Sequence, residues 1–341
     1  IPCYNAEQFV AEAIQSALAQ TWPRKEVIVV DDGSTDRSRE VIRQFDRHIR
    51  FISIPHAGAP TARNEGIRAA QGEYIKFLDA DDLLTPEAVH LQVQAAQSLP
   101  THAIPYGQVL ALGSRKPLFH QTRTNLTMTQ DEIILALFAG NIPTPAPLHR
   151  ASALREVGGF DADLQSGEEW DLHLRLALQG MTICYVDHLV CLIRHHTGEH
   201  RINRRLNSPL GVEWRCKSVN KAVQIIQQHY GSAVPPKLRE VMGLHYHTLG
   251  RSFARWGQRE KAEQWFQLAR SHGVKTLKSG SSLYRVLRRV LGDYWTVRTL
   301  SAVHGCVLGS LPYKLMRKLL WNFWDSRFWR PVRVWVSRSL Q

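Results

Sequence analysis

Three times within its first 82 residues the chain sets a short apolar run directly before a polar, mostly acidic loop: "IPCYN", "EVIVVDDGSTD" and "EYIKFLDADD". Glu26 to Val30 is a β-branched run of the kind buried on both faces of a parallel sheet. Between the runs lie segments with helical spacing. Asn5 can cap a helix in which Phe9, Val10, Ala13, Ile14, Ala17 and Leu18 recur at three and four. A second helix is expected from about Asp36 to Phe45, and a short strand "RFISI" leads to a third with Pro60 near its start and Gly72 just past its end. Strands alternating with helices imply an α/β architecture, a mostly parallel sheet with helices on both faces. Such sheets bind ligands beyond the carboxyl ends of their strands, so the three polar loops should open on one rim.

The third loop, "KFLDADDLL", crowds Asp79, Asp81 and Asp82 into four positions, where like charges raise each other's pKa and cost stability unless something neutralises them. The helix that follows has its own start signal, with Thr85 at the N-cap, Pro86 at the first position and Glu87 in the first turn, so the aspartates are not needed as caps. A hard divalent cation prefers such oxygens, and magnesium takes one or two carboxylates and completes its shell with water and phosphate. Taken alone, Asp31, Asp32, Gly33 and Ser34 read equally well as a turn with its helix cap. Three loops on one rim instead make a crevice suited to a nucleotide diphosphate. Farther on, "SGEEWDLHLRL" places Glu168 and Glu169 at a loop and helix start after Gly167. A carboxylate so placed can take a proton from an attacking hydroxyl. Favouring the positive end of the helix is the other use open to Glu168, Glu169 and Asp171.

"IPCYNAEQFVAEAIQSALAQTW", "EVIVVDDGSTDRS", "GAPTARNEGIRAAQGEYIKFLDADD" and "SGEEWDLHLRLALQG" together resemble the family 2 glycosyltransferases, enzymes of the GT-A fold, over about three fifths of the chain. The resemblance implies that Asp32 hydrogen-bonds the nucleotide base, with Pro2 and Tyr4 lining the same pocket and Arg63 of "TARN" beside the nucleotide. It matches Asp79 and Asp81 to the family's DxD pair, Asp79 near the ribose and diphosphate and Asp81 as the main ligand of Mg²⁺ or Mn²⁺. Aligned on Arg175, Glu169 takes the position of the base, where the family usually has aspartate. The extra methylene changes the reach, so Glu168 or Asp171 could share or take the role. His196, in "CLIRHHTGEH", matches a histidine that approaches the metal or diphosphate, with Arg194 adding charge nearby. The implied activity is inverting, metal-dependent transfer of a sugar from a nucleotide diphosphate donor, UDP-linked by preference, to a glycan or lipid-linked glycan. A sugar-phosphate nucleotidyltransferase is a second reading, although its usual Gly-rich phosphate loop is missing from "IPCYNAEQF"; a catalytically silent nucleotide-sugar-binding protein is a third.

Three regions are expected: a GT-A domain over residues 1–205, beginning inside its first strand; a helical region over 206–274; and a tail over 275–341. In the second, Tyr246, Leu249, Gly250, Phe253, Ala262, Phe266 and Ala269 fall on the spacing of a single tetratricopeptide unit. The net charge of +13 concentrates in the tail, where thirteen Lys or Arg face only Asp293 and Asp325. With Trp321, Trp324, Trp329 and Trp335 interleaved, that composition suits an anionic membrane surface, while a helical cap with its aromatics turned inward is the alternative. Nucleic acid is disfavoured because no recognisable binding module accompanies the charge. Five scattered cysteines without CxxC spacing argue for free thiols and a cytoplasmic location, peripheral on the inner face of the plasma membrane if the tail binds lipid.

Overall fold

The computed structural model describes residues 1–114, 124–194 and 208–274, together with 293, 294, 296 and 297. Two compact units divide the chain, Ile1–Leu238 and Arg239–Gln341. The first opens with three parallel strands in the order β1 (Pro2–Cys3), β2 (Ile28–Asp32), β3 (Arg50–Ile54). Helices α1 (Val10–Leu18), α2 (Ser38–Arg43) and α3 (Ala59–Ala69) are the crossovers between and after them. Strand β2 runs two residues beyond its β-branched core, so Asp31 and Asp32 lie inside the strand, paired with Ser53 and Ile54, and are fully buried.

Beyond this sheet the pairing is mixed. β4 (Tyr74–Lys76) pairs antiparallel with β7 (Leu148–Arg150). β8 (Thr182–Ile193) lies between β5 (Leu83–Leu84), antiparallel to it, and β6 (Ala103–Ala111), parallel to it. Helix α4 (Ala88–Ser98) joins β5 to β6; α5 (Gln130–Ala139) and α6 (Ala151–Glu156) flank β7; α7 (Glu168–Leu178) precedes β8. A reciprocal cap starts α5, with Glu132 N–H donating to Thr129 Oγ1 and the Glu132 carboxylate accepting from Thr129 N–H. Helix α8 (Pro209–Tyr230), capped by Ser208, packs against α7.

Two expected caps serve other ends. Asn5 does not cap α1, which begins only at Val10; its backbone lies at φ 48° and its Oδ1 accepts from Thr35 N–H at 2.8 Å. Thr85 does not cap α4, which begins at Ala88; its hydroxyl donates to Leu189 O at 2.6 Å, tying the acidic segment to β8. In both cases a distant partner wins over the local cap.

The second unit contains the hairpin of α9 (Pro236–Arg255) and α10 (Arg259–Ser271). Tyr246, Leu249, Phe253, Ala262, Phe266 and Ala269 are all buried, and a Cβ on Gly250 would stand 2.6 Å from the Phe266 ring, so glycine is what lets the helices close. The basic tail lies almost wholly outside the described residues. Among the described residues no helix is long and apolar enough to cross a membrane.

The core beneath the rim holds titratable nitrogens. His149 and His173 stack with ring centroids 5.5 Å apart, and Phe77 meets His149 edge-on. Burial holds both imidazoles neutral, that of His173 near about 3 and that of His149 well below its ordinary range. Lys76 donates to Gln92 Oε1 at 2.6 Å, and burial pulls its ammonium down to about 7. A cavity of about 390 Å³ is lined by apolar side chains such as Val30, Ile75, Phe77 and Leu148 and also by Pro2, Arg63 and Lys76. Because the unfolded chain takes up protons on these histidines below pH about 6.5 and the folded one does not, stability should be full above that pH and fall as the pH drops toward the folded value. At pH 5 the His173 contribution alone amounts to about 2 kcal/mol. Urea midpoints between pH 7.5 and 5 should show the decline, and it should be smaller in His173→Leu.

Candidate active site

The loops that leave β1 and β2 are fastened to each other. Asn5 N–H donates to Ser34 Oγ at 3.0 Å, Ala6 N–H to Ser38 Oγ at 2.8 Å and Glu7 N–H to Asp36 Oδ2 at 3.1 Å. Ser34 and Asp36 of "DDGSTD", with Ser38 just beyond it, are thus polar because they serve as these acceptors. Asp31 is part of the same scaffold, its carboxylate accepting from Arg39 Nε at 2.6 Å and Ser53 Oγ at 3.3 Å. Gly33, at φ 72°, sits where a Cβ would meet His56 N at 2.6 Å, so only glycine permits this approach of the two loops.

Asp32 is clamped by the loop after β3. Its Oδ1 accepts from Ala57 N–H at 2.7 Å and its Oδ2 from Gly58 N–H at 2.9 Å, with His56 Nδ1 also 2.9 Å from Oδ2. The His56 ring stacks on Tyr4, centroids 4.0 Å apart. Tyr4, Asp32 and this loop therefore form one wall, with Pro2 one residue inside β1.

Arg63 is not on a helix surface. It is buried, donating from Nη2 to Asp79 Oδ1 at 2.8 Å and from Nη1 to Glu168 Oε1 at 2.9 Å, with its guanidinium 5.2 Å from the Phe160 ring centre. Burial opposes its charge, but the two carboxylates more than offset this and hold it ionised. Its neighbour Asn64 exchanges two hydrogen bonds with the Phe160 backbone, at 2.7 and 2.8 Å. The "TARN" segment thus fixes α3 to the acidic loop on one side and to the approach of α7 on the other.

The three aspartates of the acidic loop are separated in use. Asp79 meets Arg63. Asp82 is buried, and its Oδ1 accepts the Arg194 backbone N–H at 3.0 Å. Asp81 remains half-buried at the rim, with Arg194 Nε donating to its carbonyl at 3.3 Å and Nη2 of the same arginine reaching Glu12 at 2.8 Å. His196 lies outside the described residues.

Gly167, in the left-handed region at φ 70°, turns the chain into α7. Glu168, the next residue, is turned inward to Arg63. Glu169 is half-buried, and its Oε1 accepts from Asn141 Nδ2 at 2.7 Å. Burial pushes its carboxyl up to about 7; the Glu168 charge adds to this, and the Asn141 donor opposes it. Asp171 is buried in a structural network, with Arg175 Nη2 at 2.7 Å and Lys221 Nζ at 3.1 Å. The structure thus brings Arg63, Asp79, Glu168 and Glu169 into one connected cluster and places Asp171 in a separate one. Asn141 had no signal in the sequence, since it belongs to no motif and becomes meaningful only where α5 ends beside α7.

Residues 1–154 match the family model described as Glycosyl transferase family 2. The match covers the loops after β1, β2 and β4 and stops short of Glu168 and Glu169. An uncharacterized glycosyltransferase of Rickettsia bellii is 32% identical over 182 residues, covering 52% of this chain and 26% of the relative. A poly(ribitol-phosphate) beta-glucosyltransferase of Bacillus spizizenii is 31% identical over 166 residues, 46% of this chain and 25% of the relative. The chain therefore spans about a quarter of the length of either. Among solved structures, S. aureus TarS 1–349 in complex with UDP-GlcNAc is similar with a TM-score of 0.53 at 18% identity, covering 81% of this chain and 91% of that one. The fold is thus of the GT-A type that the motifs imply, and residues 1–154 are similar to the family 2 glycosyltransferase model.

Removing Arg63 strands a buried carboxylate at Glu168, which typically costs about 3–5 kcal/mol. Arg63→Met should lower the urea-unfolding stability by that order, and Arg63→Met combined with Glu168→Met should recover much of the loss.

Proposed function

We propose, from the family 2 match at residues 1–154, that this protein transfers a sugar from a nucleotide diphosphate donor, a UDP-sugar by preference, to a hydroxyl of a glycan or lipid-linked glycan, with inversion. The observation that carries the reading is the Arg63 bridge, which holds the acidic loop and the carboxylate-bearing start of α7 within one side chain's reach of each other. Donor-side and acceptor-side chemistry would thereby share one rim. The TarS structures with UDP-GlcNAc and with UDP support the donor class.

Pro2, Tyr4 and Asp32 are the residues we assign to the base of the donor; Asp32 Oδ1, bonded to Ala57 N–H, retains a second lone pair. Asp79 and Asp81 suit a hard divalent cation, Mg²⁺ or Mn²⁺, that takes one or two protein carboxylates and fills its shell with phosphate and water. They do so as a pair, because the described residues contain no group of three ligands. Such an ion, when bound, stabilises the negative charge that grows on the departing diphosphate. Glu169 accepts the proton of the acceptor hydroxyl as its oxygen bonds to the anomeric carbon. The bond from that carbon to the diphosphate breaks, and its electron pair leaves with the diphosphate. Attack from the opposite face inverts the centre without a covalent intermediate. Glu168, committed to Arg63, shapes the field around the base.

We read the α9–α10 hairpin as a tetratricopeptide-like packing unit, and the basic tail as a peripheral contact with anionic lipid on the cytoplasmic side. The intact chain should sediment with anionic vesicles, and a chain ending near Lys275 should not.

A screen of nucleotide sugars with Mn²⁺ present should find one that raises the melting temperature, by the equivalent of about 2.7 kcal/mol at a hundred times its dissociation constant. Asp81→Ala should abolish that stabilisation. Glu169→Gln should retain it while slowing release of the nucleoside diphosphate by about 100- to 10,000-fold. Loss of donor binding in both variants, or in neither, would refute this division of labour.

A further inference from the structure

We propose that Asn141 is the positioning residue of the candidate base, holding one oxygen of the Glu169 carboxylate so that the other is presented to the acceptor hydroxyl. The proposal rests on the reading of Glu169 as base and adds to it the group that orients it. The contact is direct, Asn141 Nδ2 to Glu169 Oε1 at 2.7 Å, and neither partner is adrift. Asn141 follows Gly140, the residue that ends α5 with its N–H on Ala136 O. The next residue, Ile142, is buried. The end of α5 is pinned to the first turn of α7 by Trp170, whose indole N–H donates to Leu137 O at 2.8 Å and whose ring lies 5.2 Å from that of Phe138. The backbone that carries Asn141 and the helical turn that carries Glu169 are therefore one rigid piece, and the amide is aimed by packing.

Among the described residues, Glu168, Arg63 and Asn141 are the side chains that act on the Glu169 carboxylate, together with its own backbone N–H. Glu168, on α7 itself, repels it. Arg63, from α3, attracts it but has given its two Nη groups to Asp79 and Glu168. Asn141, from the segment after α5, is the side chain that donates to it directly. An amide N–H bonded to a carboxylate favours the ionised form, and only that form can take a proton from an acceptor. Burial and Glu168 push the other way, up to about 7, so the donor acts at the midpoint where its contribution shifts the population most. The same bond restrains the added methylene by which glutamate exceeds the aspartate usual at this position in the family pattern. A longer side chain has one more torsion to fix, and Asn141 fixes it. Asn141 is itself exposed, so its loss leaves no buried orphan and should act on Glu169 without unfolding the chain.

The test is a carboxyl ¹³C NMR titration of the full chain labelled at glutamate, the Glu169 resonance being identified by its disappearance in Glu169→Gln. Asn141→Ala should move the Glu169 midpoint upward by about one pH unit, and Asn141→Asp, which replaces the donor by a second acceptor at equal size, by more. With UDP-GlcNAc and Mn²⁺, the acidic limb of the kcat/KM profile for donor hydrolysis should move by the same amount while the KM for donor stays unchanged. An unchanged Glu169 titration in both variants overturns the proposal, whatever the enzyme's activity. The upward shift without turnover in any variant supports the hold of Asn141 on Glu169 and counts instead against glycosyl transfer.

Discussion

The guanidinium of Arg63, buried between the carboxylates of Asp79 and Glu168, is the interaction on which the arrangement of this rim depends. A buried arginine is tolerable only where charge and hydrogen-bond geometry are both met, and here two carboxylates arriving from different parts of the sequence meet them. The consequence is positional. Asp79 opens the acidic loop after β4, while Glu168, which begins α7, is 105 residues from Arg63 in the chain. Without the arginine these two acidic segments would repel each other across the rim. With it, Glu169 is carried to a fixed place relative to Asp81.

The second constraint is the way the rim's loops use polar side chains as fasteners. Ser34, Asp36 and Ser38 take up the backbone N–H groups of residues 5–7, and Asp32 takes up those of residues 57 and 58. Backbone donors in irregular loops must find acceptors, and side chains of the neighbouring loop supply them. The loops are therefore tied to one another by hydrogen bonds as the strands are. Behind α7, Gly167 lies 3.3 Å from Ser218 of α8 as measured from the Cβ it lacks, so that helix backs the turn that aims Glu168 and Glu169.

Much of this was legible from residue order. The β-branched run at residues 26–30 located β2, and the spacing of Pro60 located α3, because both signals depend on local sterics that the fold leaves in place. The ends of elements were less legible, for a physical reason. Asn5 and Thr85 are good helix caps by local chemistry, yet their partners are Thr35 and Leu189, 30 and 104 residues away, and no local rule can see such competitors. Asp31 and Asp32 read as loop because carboxylates are usually solvated, whereas donors from Arg39 and from the 57–58 backbone make their burial in β2 tolerable. The antiparallel pairing of β4 with β7 was likewise silent, since nothing in its three residues marks strand direction and its partner follows 72 residues later. The carboxylate cluster was visible as motifs; its connections, and Asn141 above all, were not.

The acidic loop has one more consequence. Asp79 is met by a guanidinium and Asp82 by the amide of Arg194. The acidic turn is thereby pre-assembled, and the divalent cation proposed for this rim would meet a receptor already in its working shape. Its rate of capture would then be governed by how fast it sheds its own hydration water, not by any folding of the polypeptide around it.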